Sequence, residues 1–200
     1  MGNGLIVLIV VVALLGLAIL LVFNRMISRR NAVDNSWAQI EAALKRRHDL
    51  IPNLVESVKG YAKHERTTFE NVTEARTKAE AAGGPQEAAS AEGTLAGAIG
   101  RLMAVAEQYP ELRATENFQQ LQAQLSETED QIQITRRVYN DTVQTYNTLI
   151  QIFPPSLIAS MFNFEPRAFY DAPTEDEATP EVSFEKGTEA GEAKSGAEKA

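Results

Sequence analysis

The stretch LIVLIVVVALLGLAILLVF, Leu5 to Phe23, runs without a charge into NRMISRRNAVDNSWAQI, Asn24 to Ile40, and nothing between them reads as a turn. At ~1.5 Å per residue the apolar run is roughly 28 Å long, close to the ~30 Å hydrocarbon core of a bilayer. Beyond Arg25, Arg29 and Arg30 a helical apolar repeat takes over: Val33, Trp37, Ile40, Leu44, Ile51, Leu54, Val58 and Tyr61. Their spacing puts these side chains on one stripe, with a single polar position at Arg47. One helix is therefore predicted to start in lipid and to continue as part of a packed bundle.

The run reads as an uncleaved anchor and not as a secretory signal. No basic side chain precedes it, and Leu21-Val22-Phe23-Asn24-Arg25 offers no small-residue cleavage site. The opening Met1-Gly2 is not a myristoylation signal, because Ile6 stands where Ser or Thr is wanted. Three arginines on the C-terminal flank alone place the N-terminus outside and the bundle in the cytoplasm; a periplasmic bundle is the other arrangement.

Charge and composition narrow the function classes. The net charge is -8, and -5 of it lies in residues 172–200, where eight acidic residues face Lys186, Lys194 and Lys199. That segment is rich in Glu, Ala and Gly and is expected to be a disordered acidic tail. Nothing resembles the basic face of a nucleic-acid binder. The chain has no cysteine, which excludes disulfides and thiolate metal sites.

Further helices follow the first. Pro52 lies inside the first stripe, takes away one backbone donor and crowds the His48 carbonyl, so a kink is expected there. Trp37 is expected to be a buried anchor between the first and last long helices, with Tyr139 and Tyr146 as aromatic partners. Glu65 to Ala82 reads as a second helix, separate or continuous with the first, stopped by Gly83-Gly84-Pro85. Gly93, Gly97 and Gly100 make the next stretch a loose helix start or loop, which leads into Leu95, Ile99, Leu102, Val105 or Ala106, and Tyr109 at helical spacing. Pro110 closes this element, and Thr115 is the expected N-cap of a helix from Glu116 to Ile152. Phe118, Leu121, Leu125, Thr128, Ile132, Thr135, Tyr139, Thr142, Tyr146, Leu149 and Phe153 form its stripe. After Pro154-Pro155, Ser156 to Phe164 is short and apolar; it folds back on the bundle or dips into a membrane surface, and fold-back is the expectation.

A search for chemistry finds none. His64-Glu65 begins like a zinc-protease motif, but Thr68 stands where the second histidine would be. Neither His48 nor His64 completes a Glu-x-x-His pair. No phosphate loop or nucleophile elbow is present. No catalytic, cofactor-binding or metal residue is assigned. Two charged groups are candidates for partner binding: Lys45, Arg46, Arg47, His48 and Asp49 on the first helix, and Arg136 and Arg137 on the fourth. Each reads either as a site for a partner or phosphate head groups, or as a solvated helix face with acidic neighbours, the commoner origin of such runs.

Asp34-Asn35-Ser36-Trp37, the run Lys45 to Val55, Tyr61-Ala62-Lys63-His64-Glu65, Tyr109-Pro110-Glu111-Leu112 and Asn117 to Leu121 occur in order behind the membrane segment. Arg136-Arg137, Tyr139-Asn140, Tyr146-Asn147 and Phe153-Pro154 close the series. Together they resemble the bacterial LemA family from the anchor to Asp171. The resemblance implies an antiparallel helical bundle hung on one N-terminal membrane helix. It implies no established enzymatic activity and brings no catalytic or cofactor residues.

The resulting expectation is an all-α protein: a transmembrane anchor with basic flank over 1–30, a bundle of three to four helices over 31–171, and the tail over 172–200. As a function it points to a non-catalytic scaffold or adaptor of the bacterial envelope, with the lipid bilayer and another envelope protein or a second copy as partners. A regulatory subunit of a membrane protease or transporter is the alternative.

Overall fold

The computed structural model describes residues 2–171, and these form six helices and no strand. The first, α1 (Gly2–Lys59), is a single unbroken helix of 58 residues, about 87 Å long at helical rise. It is followed by α2 (Arg66–Ala81), α3 (Pro85–Glu107), α4 (Pro110–Arg113), α5 (Glu116–Gln151) and α6 (Pro155–Met161). The acidic tail expected to be disordered lies outside the described residues.

α1 changes surroundings along its length. Its side chains from Leu5 to Leu21 are all exposed, Val22 and Phe23 are partly covered, and Met26 is fully buried. Packing thus begins where the apolar run ends. It is the one helix among those described that is long and apolar enough to cross a membrane. Beyond Met26, α1 runs antiparallel to α5: Trp37 meets Tyr139, and Arg46 meets Glu127. The α2–α3 hairpin covers the far half of α1, whereas α6 folds back beside the near half.

The two long helices bury stripes close to those expected. On α5 the buried line is Thr128, Ile132, Thr135, Tyr139, Val143, Tyr146 and then Leu149 and Ile150. Val143 takes the inward place expected of Thr142, and Phe153 is exposed. A straight helix repeats every 3.6 residues, so a strict heptad drifts off the seam by its end. Thr128 and Thr135 tolerate burial because each hydroxyl donates to a carbonyl one turn back, Gln124 and Gln131. Trp37 is only partly buried, packing on Tyr139 and, in place of Tyr146, on Tyr170 at 6.1 Å. Ser36 holds the inward position next to it, its hydroxyl satisfied by Val33 O at 2.8 Å.

Pro52 lies inside α1, which stays helical on both sides of it. The carbonyl that Pro52 leaves without a helical donor, that of His48, accepts instead from Arg76 Nε of α2 at 2.9 Å. A turn at Gly60–Glu65 separates α1 from α2, and Ala62, not Tyr61, is buried there. The glycine-bearing stretch is neither loop nor loose start: Gly93, Gly97 and Gly100 lie within α3 on its exposed side. Neighbouring alanines are the best helix formers, and Ala88, Ala89, Leu95, Ala98 and Leu102 supply a buried face that holds the helix. Thr115 occupies the N-cap position of α5, but its hydroxyl donates back to Leu112 O within the unforeseen short turn of α4.

Candidate functional site

Two apolar clusters make up the core. The anchor-proximal one holds Met26, Val33, Ile40, Leu44, Ile132, Tyr139, Val143 and Tyr146, and the distal one Ile51, Leu54, Val58, Val72, Leu95, Leu102 and Phe118. Between them lies a polar layer. Arg47 and His48, side by side on α1, point inward and are about 95% buried, as is Glu92 of α3. Arg47 Nη2 lies 2.8 Å from Glu92 Oε2, and Arg47 Nη1 donates to Glu129 of α5 at 2.7 Å. His48 Nε2 hydrogen-bonds the other Glu92 oxygen. One carboxylate therefore joins two side chains of α1, and one guanidinium joins three helices. Removing such charges from water is costly, and only mutual pairing with further hydrogen bonds repays it. The Arg47 Nε has no partner, so the layer is not fully satisfied.

The second constellation is built from a repeat. Tyr139-Asn140 recurs as Tyr146-Asn147 seven residues later on α5. α6 ends with Asn163 at φ 58°, a left-handed conformation that Asn tolerates. The Phe164 N–H then bonds back to Ala159 O at 2.9 Å, as in a Schellman cap. The chain leaves this turn as an extended strap that climbs along α5. Tyr146 OH donates to Glu165 O (3.0 Å), and Tyr139 OH to Ala168 O (2.8 Å). Asn147 closes on both main-chain groups of Arg167, at 2.9 and 2.8 Å. Asn140 does the same to Tyr170, at 3.4 and 2.9 Å. One heptad of helix rises ~10.5 Å, and three extended residues span about the same length. The match lets the rungs repeat.

The strap ends over the polar layer. Tyr170 is buried, with Arg136 above its ring, and Arg136 also pairs with Asp171 at 2.7 Å. Burial, and secondarily the Glu92 carboxylate, pushes the Tyr170 hydroxyl up to about 12. Burial likewise raises Tyr139 and Tyr146.

The candidate partner-binding residues separate into two environments. Lys45 and Asp49 pair with each other at 3.8 Å, and Arg46 pairs with Glu127 at 3.4 Å, all on the solvated surface. Arg47 and His48 face the core and are almost wholly buried. Arg136 holds the strap, whereas Arg137 is exposed on α5. Glu92, Glu129 and the paired asparagines were missed as site residues. The Tyr-Asn heptad was the signal for the asparagines. Glu92 sits in the Ala/Gly stretch, which shows no pattern. Among the described residues no three His, Cys, Asp or Glu side chains converge as metal ligands would.

An all-helical bundle carrying one candidate membrane-spanning helix, with an extended strap read by a Tyr-Asn repeat, defines the class. Within it, the chain belongs to the LemA family, matched over residues 36–184. It is 28% identical to "Protein LemA" of Metamycoplasma hominis, over 74% of this chain and 68% of that protein. It is 28% identical to "Magnetosome protein MamQ 2" of Paramagnetospirillum magneticum over 76% of this chain, and spans 65% of that relative's length. With "Magnetosome protein MamQ" of Magnetospirillum gryphiswaldense the identity is 25%, over 91% of this chain and 79% of the relative.

Proposed function

We propose that this protein is a non-catalytic, single-pass scaffold or adaptor of the bacterial envelope, which holds a helical bundle at the cytoplasmic face of the membrane and engages an envelope protein or a second copy there. The observation that carries the reading is the continuity of α1: bare and apolar from Leu5 to Leu21, packed from Met26 onward, with no joint between. Such a helix fixes the height and direction of the bundle relative to the bilayer, as a scaffold needs. Arg25 and Arg29, exposed at the exit, support the cytoplasmic side.

A second reading, a regulatory subunit of a membrane protease or transporter, draws on the polar layer. A core divided into two apolar clusters has a plane along which its halves can reseat. Cross-linking in intact cells followed by purification from detergent-solubilised membranes tests both. Self-association alone supports the scaffold; one stoichiometric membrane enzyme or transporter supports the regulator. Extraction of the full chain by carbonate would refute the anchor, and a reporter fused after Ala200 that works only outside the cytoplasm would refute the orientation.

A further inference from the structure

We propose that α6 and the turn before it form a second contact with the bilayer, entering the head-group region of the leaflet from which α1 emerges. The inference rests on the anchor reading above. Its starting point is register. Trp37 packs on Tyr139 in the antiparallel pair, and twelve residues back along α1 and twelve on along α5 bring Arg25 level with Gln151, the last residue of α5. Phe23, two residues before Arg25, is the last of the apolar run, so the end of α5 lies at the height where α1 leaves lipid. α6 is at the same height, since Phe23 packs on Phe162 with ring centroids 4.9 Å apart and on Phe164 at 5.8 Å.

At that height the surface is apolar. Phe153 is 78% exposed, Leu157 64% and Met161 65%. A seven-residue helix without any charge, PSLIASM, has two apolar sides. One side, Pro155, Ile158 and Ala159, is buried against the bundle. The other faces outward beside the anchor. An interfacial helix ordinarily needs a polar face because only one side meets lipid. Here the bundle occupies the place of that polar face, so an uncharged sequence whose only polar side chains are Ser156 and Ser160 suits a segment wedged between protein and bilayer. Arg25 and Arg29 are exposed at the same level, where they meet lipid phosphates. Bare apolar α1, the Phe23–Phe162 contact and the outer side of α6 form one continuous surface, and the bilayer that covers its first part covers its last.

The test uses the full chain in phosphatidylcholine–phosphatidylglycerol vesicles. The sequence has no cysteine, so single cysteines at Leu14, Ser126, Leu157 and Met161 each carry one nitroxide. All four positions are exposed, so labelling leaves the packing intact. Accessibility to oxygen, enriched in lipid, is compared with accessibility to a water-soluble nickel chelate. Labels at Leu157 and Met161 are expected to follow Leu14, favouring oxygen, and to differ from Ser126 at the far end of α5. If Leu14 reports lipid while Leu157 and Met161 report water, the α6 contact is refuted and the anchor stands. If Leu14 itself reports water, the anchor reading fails. Protection of Leu157 from both reagents, with spin–spin broadening relieved by unlabelled chain, shows that a second copy covers the patch and overturns the proposal.

Discussion

Arg76 donates from its Nε to the carbonyl of His48 at 2.9 Å, taking the place of the amide that Pro52 lacks. A guanidinium from a neighbouring helix thus completes α1 where its own backbone cannot. Arg76→Ala should destabilise the bundle by about 1.5–3 kcal/mol, the range for a hydrogen bond with a charged partner. Pro52→Ala should stabilise it, by no more than the ~3 kcal/mol separating Pro from Ala in a helix interior. In the double variant the Arg76 loss should shrink, because the restored amide satisfies His48. Chemical denaturation in detergent, followed by the fluorescence of the one tryptophan, gives the coupling. Additive effects would show that the two sites are independent.

Glu92 serves both Arg47 and His48, so its loss strands two buried groups. Glu92→Ala should cost about 3 kcal/mol, the low end for breaking a buried pair, since Arg47 keeps Glu129. Glu129→Ala removes a carboxylate that is 47% exposed, and should cost about 1 kcal/mol. Equal losses in the two unfolding curves would mean that the layer is open to water.

Gly93, Gly97 and Gly100 point away from the core, and a Cβ at any of them meets nothing within 4 Å. Each Gly→Ala change should therefore stabilise α3 by roughly 0.5–1 kcal/mol, close to additively. Thermal unfolding of the triple variant should show a raised midpoint. A lowered one would mean that something packs on this face.

The asparagine rungs make a residue-specific prediction for hydrogen exchange. Asn147→Ala should speed exchange of the Arg167 amide by about tenfold, the equivalent of ~1.4 kcal/mol, and affect Tyr170 less. Asn140→Ala should do the reverse. Uniform acceleration along the strap in both variants would show that it opens as one unit.

Tyr170 sets an alkaline limit. In the unfolded chain its hydroxyl ionises near ~10, whereas in the fold it is held up to about 12. The folded state therefore keeps its proton more tightly, and the stability linked to it is complete below pH ~10 and lost as pH rises through about 12. Tyr170→Phe should flatten the fall in unfolding midpoint across that window. An unchanged slope would place the sensitivity in Tyr139 and Tyr146.

The long helices were legible because their stripes are local. α5 ends at Gln151, one residue short of the expected Ile152, and Gly83-Gly84-Pro85 separates α2 from α3 as read. Arg47 was legible as the one polar position on the inward stripe of α1, but its pairing was not, and His48 read as surface, because Glu92 lies on another helix more than forty residues on. Charge in a run reads as surface until a partner at that distance is known. Gly93 to Gly100 misled for the opposite reason: three weak positions were outweighed by a buried face that only tertiary packing defines. The strap shows no pattern of its own, since its hydrogen bonds go to main-chain atoms that every sequence shares.

Those main-chain rungs make the strap a ruler. Glu165, Arg167 and Ala168 have exposed side chains, and α5 grips the first through its carbonyl, the second through both main-chain groups, the third through its carbonyl. What α5 measures is count: seven residues on its own side against three on the other. Substitutions along the strap leave that count intact, but deleting Ala168 would throw the upper rungs out of step with the lower ones. A shift by three residues, and by no smaller number, would bring rungs and acceptors back into phase. At Glu165, Arg167 and Ala168 spacing carries the information, while Phe169 and Tyr170, packed on the core, fix the identity of the strap's end.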